Sequence, residues 1–124
     1  MVNMKLTNAI IYNSLPVLRT LNTTKLPIKT SYKVNKNIRA LQSKLDFVEE
    51  QRTSLIRKYG TEEENGSINV GIENMETFYK DFNEVLEIEE DVKIHKLSLE
   101  ELEDVQLTSE EFGLIEYMLE IEEE

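Results

Sequence analysis

One segment constrains this chain more than any other. Between Lys29 and Tyr59, apolar residues fall at Val34, Ile38, Leu41, Leu45, Val48, Leu55 and Tyr59, at steps of 4, 3, 4, 3, 7 and 4. That is the a/d seam of a heptad repeat, with Arg52 as its single polar member. Phe47 and Ile56 widen the stripe beyond a strict seam. The spacing predicts a helix about 45 Å long, at roughly 1.5 Å per residue. Such a stripe cannot be buried by one helix alone. It must pack against other helices of the same chain or against a second chain. In the second case Ile38, Leu41, Leu45, Val48 and Leu55 form the self-association surface. Gly60 is a natural stop, with Arg57 and Lys58 well placed in the last turn.

Upstream, Thr7 is a candidate N-cap, and Leu6, Ile10, Leu15, Leu18 and Leu21 recur at near-helical spacing. Pro16 removes a helix hydrogen bond, so a kink, or a restart with Ser14 as cap, is expected there. Pro27 separates this element from the long helix. Downstream, Thr61–Ser67 reads as a polar turn around Asn65-Gly66, and Ile68–Gly71 as a short strand. Asn74 is expected to cap a helix from Met75 to about Glu89, with Met75, Phe78, Tyr79, Phe82, Val85 and Leu86 on its apolar face. Val92 and Ile94 alternate with Lys93 and His95 as in a strand. Ser98–Glu101 and Thr108–Glu111 both read as capping boxes, with Val105–Leu107 between them as a strand fragment. The second box opens a last helix carrying Phe112, Ile115, Met118 and Leu119, and Glu122–Glu124 form an acidic tail.

These elements predict a helix-dominated α+β fold. It has one long helix, two or three shorter ones and a small sheet of two to three strands. A hairpin between the long helix and Met75–Glu89 is expected at its centre. With 124 residues, 40% of them hydrophobic, the chain can supply one modest core, hence a single domain 1–124. Its two halves differ sharply in charge. Residues 1–60 hold 11 Lys+Arg and 3 Asp+Glu, a net of +8, whereas residues 61–124 hold 3 and 22, a net of −19. The N-terminal half is therefore basic and helical, the C-terminal half acidic and α+β. Such asymmetry points to charged partners, or to halves that neutralise each other on packing.

The residues offer little chemistry. There is no Cys, so disulfide frameworks and thiolate metal sites are excluded. His95 is the sole histidine and no HExxH spacing exists, so neither a multi-His metal site nor a His-centred active site is expected. Thr61–Ile72 places Gly66 at position six of a calcium loop, but Thr61 and Ile72 then occupy positions one and twelve, which need carboxylates. No phosphate-binding glycine loop is present. Carboxylate pairs are too numerous to single out a general acid. No catalytic, cofactor or metal residues are therefore expected. No apolar run approaches the ~20 residues needed to cross a bilayer, and no signal peptide is evident, so a cytoplasmic location is expected. Lys25, Lys29, Lys33, Lys36 and Arg39 form a basic run, read first as a solvated face that offsets the acidic half. The acidic half repels phosphates, so nucleic acid is a poor partner.

Several stretches together resemble small uncharacterised acidic proteins of phages and prophages of Gram-positive bacteria. These are Leu26–Lys33 leading into a long helix that ends Arg57-Lys58-Tyr59-Gly60, the acidic Asn65-Gly66 turn, Phe82–Glu89, and Leu107–Glu111. The resemblance spans most of the chain and its motifs carry no chemistry. It implies a viral origin, residence in the host cytoplasm, and no enzyme activity or assigned site. The function expected is that of a non-enzymatic protein-binding module, modulating or inhibiting a host protein through an acidic surface at Glu100, Glu101, Glu103 and Asp104. The alternative is a virion structural or assembly-chaperone protein that self-associates through the long helix.

Overall fold

Pro27 starts the long helix and Gly60 ends it. In the computed structural model, which describes residues 1–120, α2 spans Ile28–Tyr59 as the spacing predicts. Gly60 serves as the stop for a reason other than left-handed backbone. Its φ is −93°, but an added Cβ would strike the Ile56 carbonyl and the Ile68 side chain. The chain turns there too tightly for any side chain.

The heptad seam of α2 faces inward. Val34, Leu41, Leu45 and Val48 are buried and Ile38 and Leu55 half-buried. It packs against α1 (Asn8–Thr23) in the buried cluster and, as expected, also against the later helix, so the core centres on the α1–α2 hairpin while the expected pairing is present beside it. Ile11, Leu18 and Leu21 of α1 join Val34, Leu41 and Leu45 in one cluster. The Thr7 hydroxyl caps α1 by accepting from Ile10 N–H. Pro16 lies within α1 without ending it. It is exposed, whereas Ile11, Val17 and Leu18 on either side of it share the buried face. Packing along that face outweighs the one hydrogen bond that proline removes. Ser14 consequently caps nothing. It is buried in the helix, donating to the Ile11 carbonyl and sharing a 2.8 Å bond with the Tyr117 hydroxyl.

Leu6 belongs to a strand that local pattern did not announce. β1 (Val2–Thr7) pairs antiparallel with β4 (Glu89–Ile94), with Val2 opposite Ile94 and Thr7 opposite Glu89. Val92 and Ile94 point into the core as their alternation predicts. Among the described residues the strands form three separate pairs, not one small sheet. β2 (Gly60–Glu62) and β3 (Ile68–Val70) make a hairpin closed by the Glu63–Ser67 turn. Gly66, at φ +86°, is the one residue there that needs left-handed backbone. β5 (Leu97–Ser98) and β6 (Leu119–Glu120) pair in parallel for two residues.

α3 spans Ile72–Leu86, three residues earlier than expected, with Gly71 at its N-cap. Asn74 sits inside the helix and its amide donates to the Tyr59 carbonyl at 3.0 Å, tying α3 to the end of α2. Asp81 accepts from the Tyr59 hydroxyl in the same interface. Phe82 meets Tyr12 of α1 edge-to-face at 6.0 Å. Val105–Leu107 is not a strand; the segment is short and finds no partner. The second capping box forms as expected, with Thr108 and Glu111 satisfying each other's backbone N–H at the start of α4 (Ser109–Leu114). α4 ends after six residues, and a 3₁₀ turn at Glu116–Met118 carries the chain on. Ile115, Met118 and Leu119 are nonetheless all buried. The expected acidic tail, Glu122–Glu124, lies outside the described residues.

Candidate functional site

The four carboxylates expected to dock a partner fall on one turn, Glu100–Asp104, but they do not act alike. Glu101 is turned inward. Its carboxylate lies 2.8 Å from Lys33 Nζ and accepts from Ser98 N–H, the Ser98 hydroxyl and the Thr30 hydroxyl. Ser98 Oγ in return accepts from Glu101 N–H, completing the first capping box. Burial of the Glu101 carboxyl favours its neutral form. Lys33, Ser98 and Thr30 together outweigh that and hold its pKa below the ordinary carboxyl value. Glu101 is thus a staple between α2 and the C-terminal half. Glu100, Glu103 and Asp104 are exposed. Glu100 and Asp104 line a shallow cleft of about 510 Å³ opposite Lys25, Lys29 and Lys33, where the charges largely offset. The turn is a poor isolated acidic surface.

A pH dependence follows from Glu101. A carboxyl whose folded pKa is lowered contributes stability above its unfolded pKa, and that contribution is lost as pH falls through the folded pKa. Acidification from about pH 5 to about pH 3 is therefore expected to destabilise the wild type more than Glu101→Gln. Urea melts of both at several pH values check this. Parallel curves for the two proteins would contradict it.

No arrangement of reactive groups emerges elsewhere among the described residues. Among the described residues no cluster of three His, Asp or Glu side chains could hold a metal ion. His95 is fixed through its backbone, as Asn37 Oδ1 accepts from its N–H at 2.7 Å and Asn37 Nδ2 donates to its carbonyl at 2.9 Å. Its ring lies edge-to-face with Tyr32 at 6.2 Å. Burial pushes the Tyr117 hydroxyl up to about 12, so it stays protonated as a partner of Ser14. No described helix is long and apolar enough to cross a membrane. The self-association surface expected on α2 is largely spent: Leu41, Leu45 and Val48 are at most 3% exposed within the single chain.

The surface that does stand out lies on α3. Its apolar face is covered only in part. Only Phe78 is buried, and Phe82, Val85 and Leu86 are half-buried. Ile72, Met75 and Tyr79 are 91%, 37% and 55% exposed. Steps of 3 and 4 between them place all three on one stripe of the helix. Single exposed apolar residues are ordinary, but a contiguous run of three is not. Carboxylates flank the stripe at Glu73, Glu76 and Glu84, with Lys80 the one cation of the helix. The hairpin turn just before α3 adds Glu62, Glu63 and Glu64. Ile72 went unseen because it precedes the helix start assigned to Asn74. The exposure of Met75 and Tyr79 is invisible to periodicity, which reports that a face is apolar but not how wide its partner is. Comparison with known proteins finds no family model, no curated protein and no solved structure that matches this chain.

Proposed function

We propose that this chain is a non-enzymatic protein-binding module, phage-encoded, which modulates a host protein by docking its acidic half on a basic surface. The observation that carries this reading is the exposed Ile72–Met75–Tyr79 stripe with carboxylates beside it. Tyr and Met are over-represented in interfaces, where apolar anchors supply affinity and the charged rim supplies orientation and on-rate. The docking face thus moves from Glu100–Asp104 to α3. Glu100, Glu103 and Asp104 then contribute to the general negative field and not to a contact.

Affinity capture from lysates of Gram-positive cells, with and without phage infection, tests the reading. The tagged wild type is compared with an Ile72→Ser/Tyr79→Ser variant by mass spectrometry. The expected result is a stoichiometric host protein with a basic surface, released by salt and retained at least about tenfold less by the variant, since losing an anchor costs 1–2 kcal/mol or more. Equal retention by both proteins, or no stoichiometric partner, would overturn it.

A further inference from the structure

The basic half of the molecule carries an apolar surface of its own. At the start of α2, Ile28 is 86% and Tyr32 57% exposed. Together with Lys29, Lys33 and His95 they line a shallow hollow of about 340 Å³. Lys36 Nζ lies 5.5 Å above the Tyr32 ring, and Lys25 and Arg39 are exposed nearby in sequence. No Asp or Glu precedes Asp46 in the chain, so nothing local neutralises this corner except the C-terminal half. That half does so through one direct ion pair, with Glu100 and Asp104 lining the cleft beside Lys25 and Lys29. Among the described residues Lys33–Glu101 is the sole ion pair joining residues 1–60 to the acidic half; the other pair, Arg52–Glu49, lies within α2.

One chain therefore displays two exposed apolar patches of opposite charge. The Ile28–Tyr32 corner is ringed by lysines, and the Ile72–Met75–Tyr79 stripe is flanked by glutamates. Resting on the reading that α3 is a docking face for a cationic surface, we propose that the α2 corner of one copy docks on the α3 stripe of a second copy. Charge sign and apolar content match between the two faces, and neither face matches itself: a two-fold axis through either face would set lysines against lysines or glutamates against glutamates. The contact pairs unlike faces and is head to tail, unless one axis lets both corner–stripe pairs form between the same two copies. Unless the rotation closes a ring, such contacts add copies one at a time. Each association occupies one α3 stripe, so a host partner and a second copy compete for it.

Sedimentation velocity on the full chain, from micromolar to millimolar concentration, tests this. The wild type is expected to form a concentration-dependent ladder of dimers and larger species. Raising salt from about 0.05 to about 0.5 M should weaken it at least tenfold, because the Debye length falls from roughly 14 to roughly 4 Å. Two variants isolate the faces: Lys29→Gln/Tyr32→Ser/Lys36→Gln at the corner, and Ile72→Ser/Glu76→Gln/Tyr79→Ser on α3. Circular dichroism melts establish that both are folded. Each alone is expected to stay monomeric. A mixture of the two retains one intact face of each kind and should yield a 1:1 dimer and nothing larger. A monomeric wild type throughout, or a mixture that stays monomeric, overturns the second copy as occupant. If the α3 variant then still loses a captured host protein, the docking reading stands without self-association. If it changes neither assembly nor capture, both fall.

Discussion

Leu41→Ala is expected to destabilise the folded chain by about 3–4 kcal/mol, within the range found for leucines removed from tight cores. Leu41 is fully buried in the middle of α2, in one cluster with residues of α1 and the C-terminal segment. Truncation forfeits the transfer energy of three carbon atoms and leaves a cavity bounded by two rigid helices, which collapse into it poorly. For a domain this size the midpoint of thermal unfolding should fall by roughly 12–20 °C. The concentration dependence of that midpoint is the sharper readout. A seam buried within one chain gives a loss independent of protein concentration, whereas a seam shared between chains gives a midpoint that rises with concentration. Calorimetry of the variant at two widely separated concentrations, in high salt to suppress charge-driven association, decides the matter. A concentration-dependent loss, or one below about 1 kcal/mol, would contradict the single-chain core.

Asn37→Ala should cost nearly as much although no apolar contact of any size is removed. Asn37 is fully buried in the long helix and its carboxamide pairs with both backbone groups of His95. It acts there as a strand partner would, at the bend between β4 and β5. Alanine would leave a partly buried N–H and a partly buried carbonyl without partners, each costing about 1–3 kcal/mol, for a loss of roughly 3 kcal/mol. Asn37→Asp is expected to fare no better. It keeps the acceptor for His95 N–H but sets a carboxylate against the His95 carbonyl in a site closed to water. Denaturant unfolding with hydrogen exchange at His95 checks both. Retained protection of that amide in Asn37→Ala would show that another group satisfies it.

Residues interacting along the chain were legible in advance; those interacting across it were not. The seam from Val34 to Tyr59 specifies a helix because a 3.5-residue apolar period fits no other backbone. Pro27 and Gly60 bound it, and Thr7, Ser98 and Thr108 form caps with neighbours no more than three residues away. These are local effects, complete within a few residues. β1 was missed because its pairing partner is more than eighty residues distant. The restart expected at Pro16 does not occur because one lost hydrogen bond is weighed against packing that involves residues from elsewhere in the chain. The same limit applied to the surface: the clustered carboxylates at Glu100–Asp104 drew attention, yet Lys33 takes one and Lys25 and Lys29 face two others.

By itself the sequence determined the long helix, the caps, the helix-dominated α+β class and the opposition of a basic and an acidic half. All of these rest on composition or on short-range periodicity. The tertiary structure alone decided which helix fills the seam, that Asn37 serves as a strand edge, and that Ile72, Met75 and Tyr79 are left in solvent. Burial is a property of pairs of surfaces. A chain's pattern records what each face is able to bury, and only the arrangement of all the faces settles which of them finds a cover.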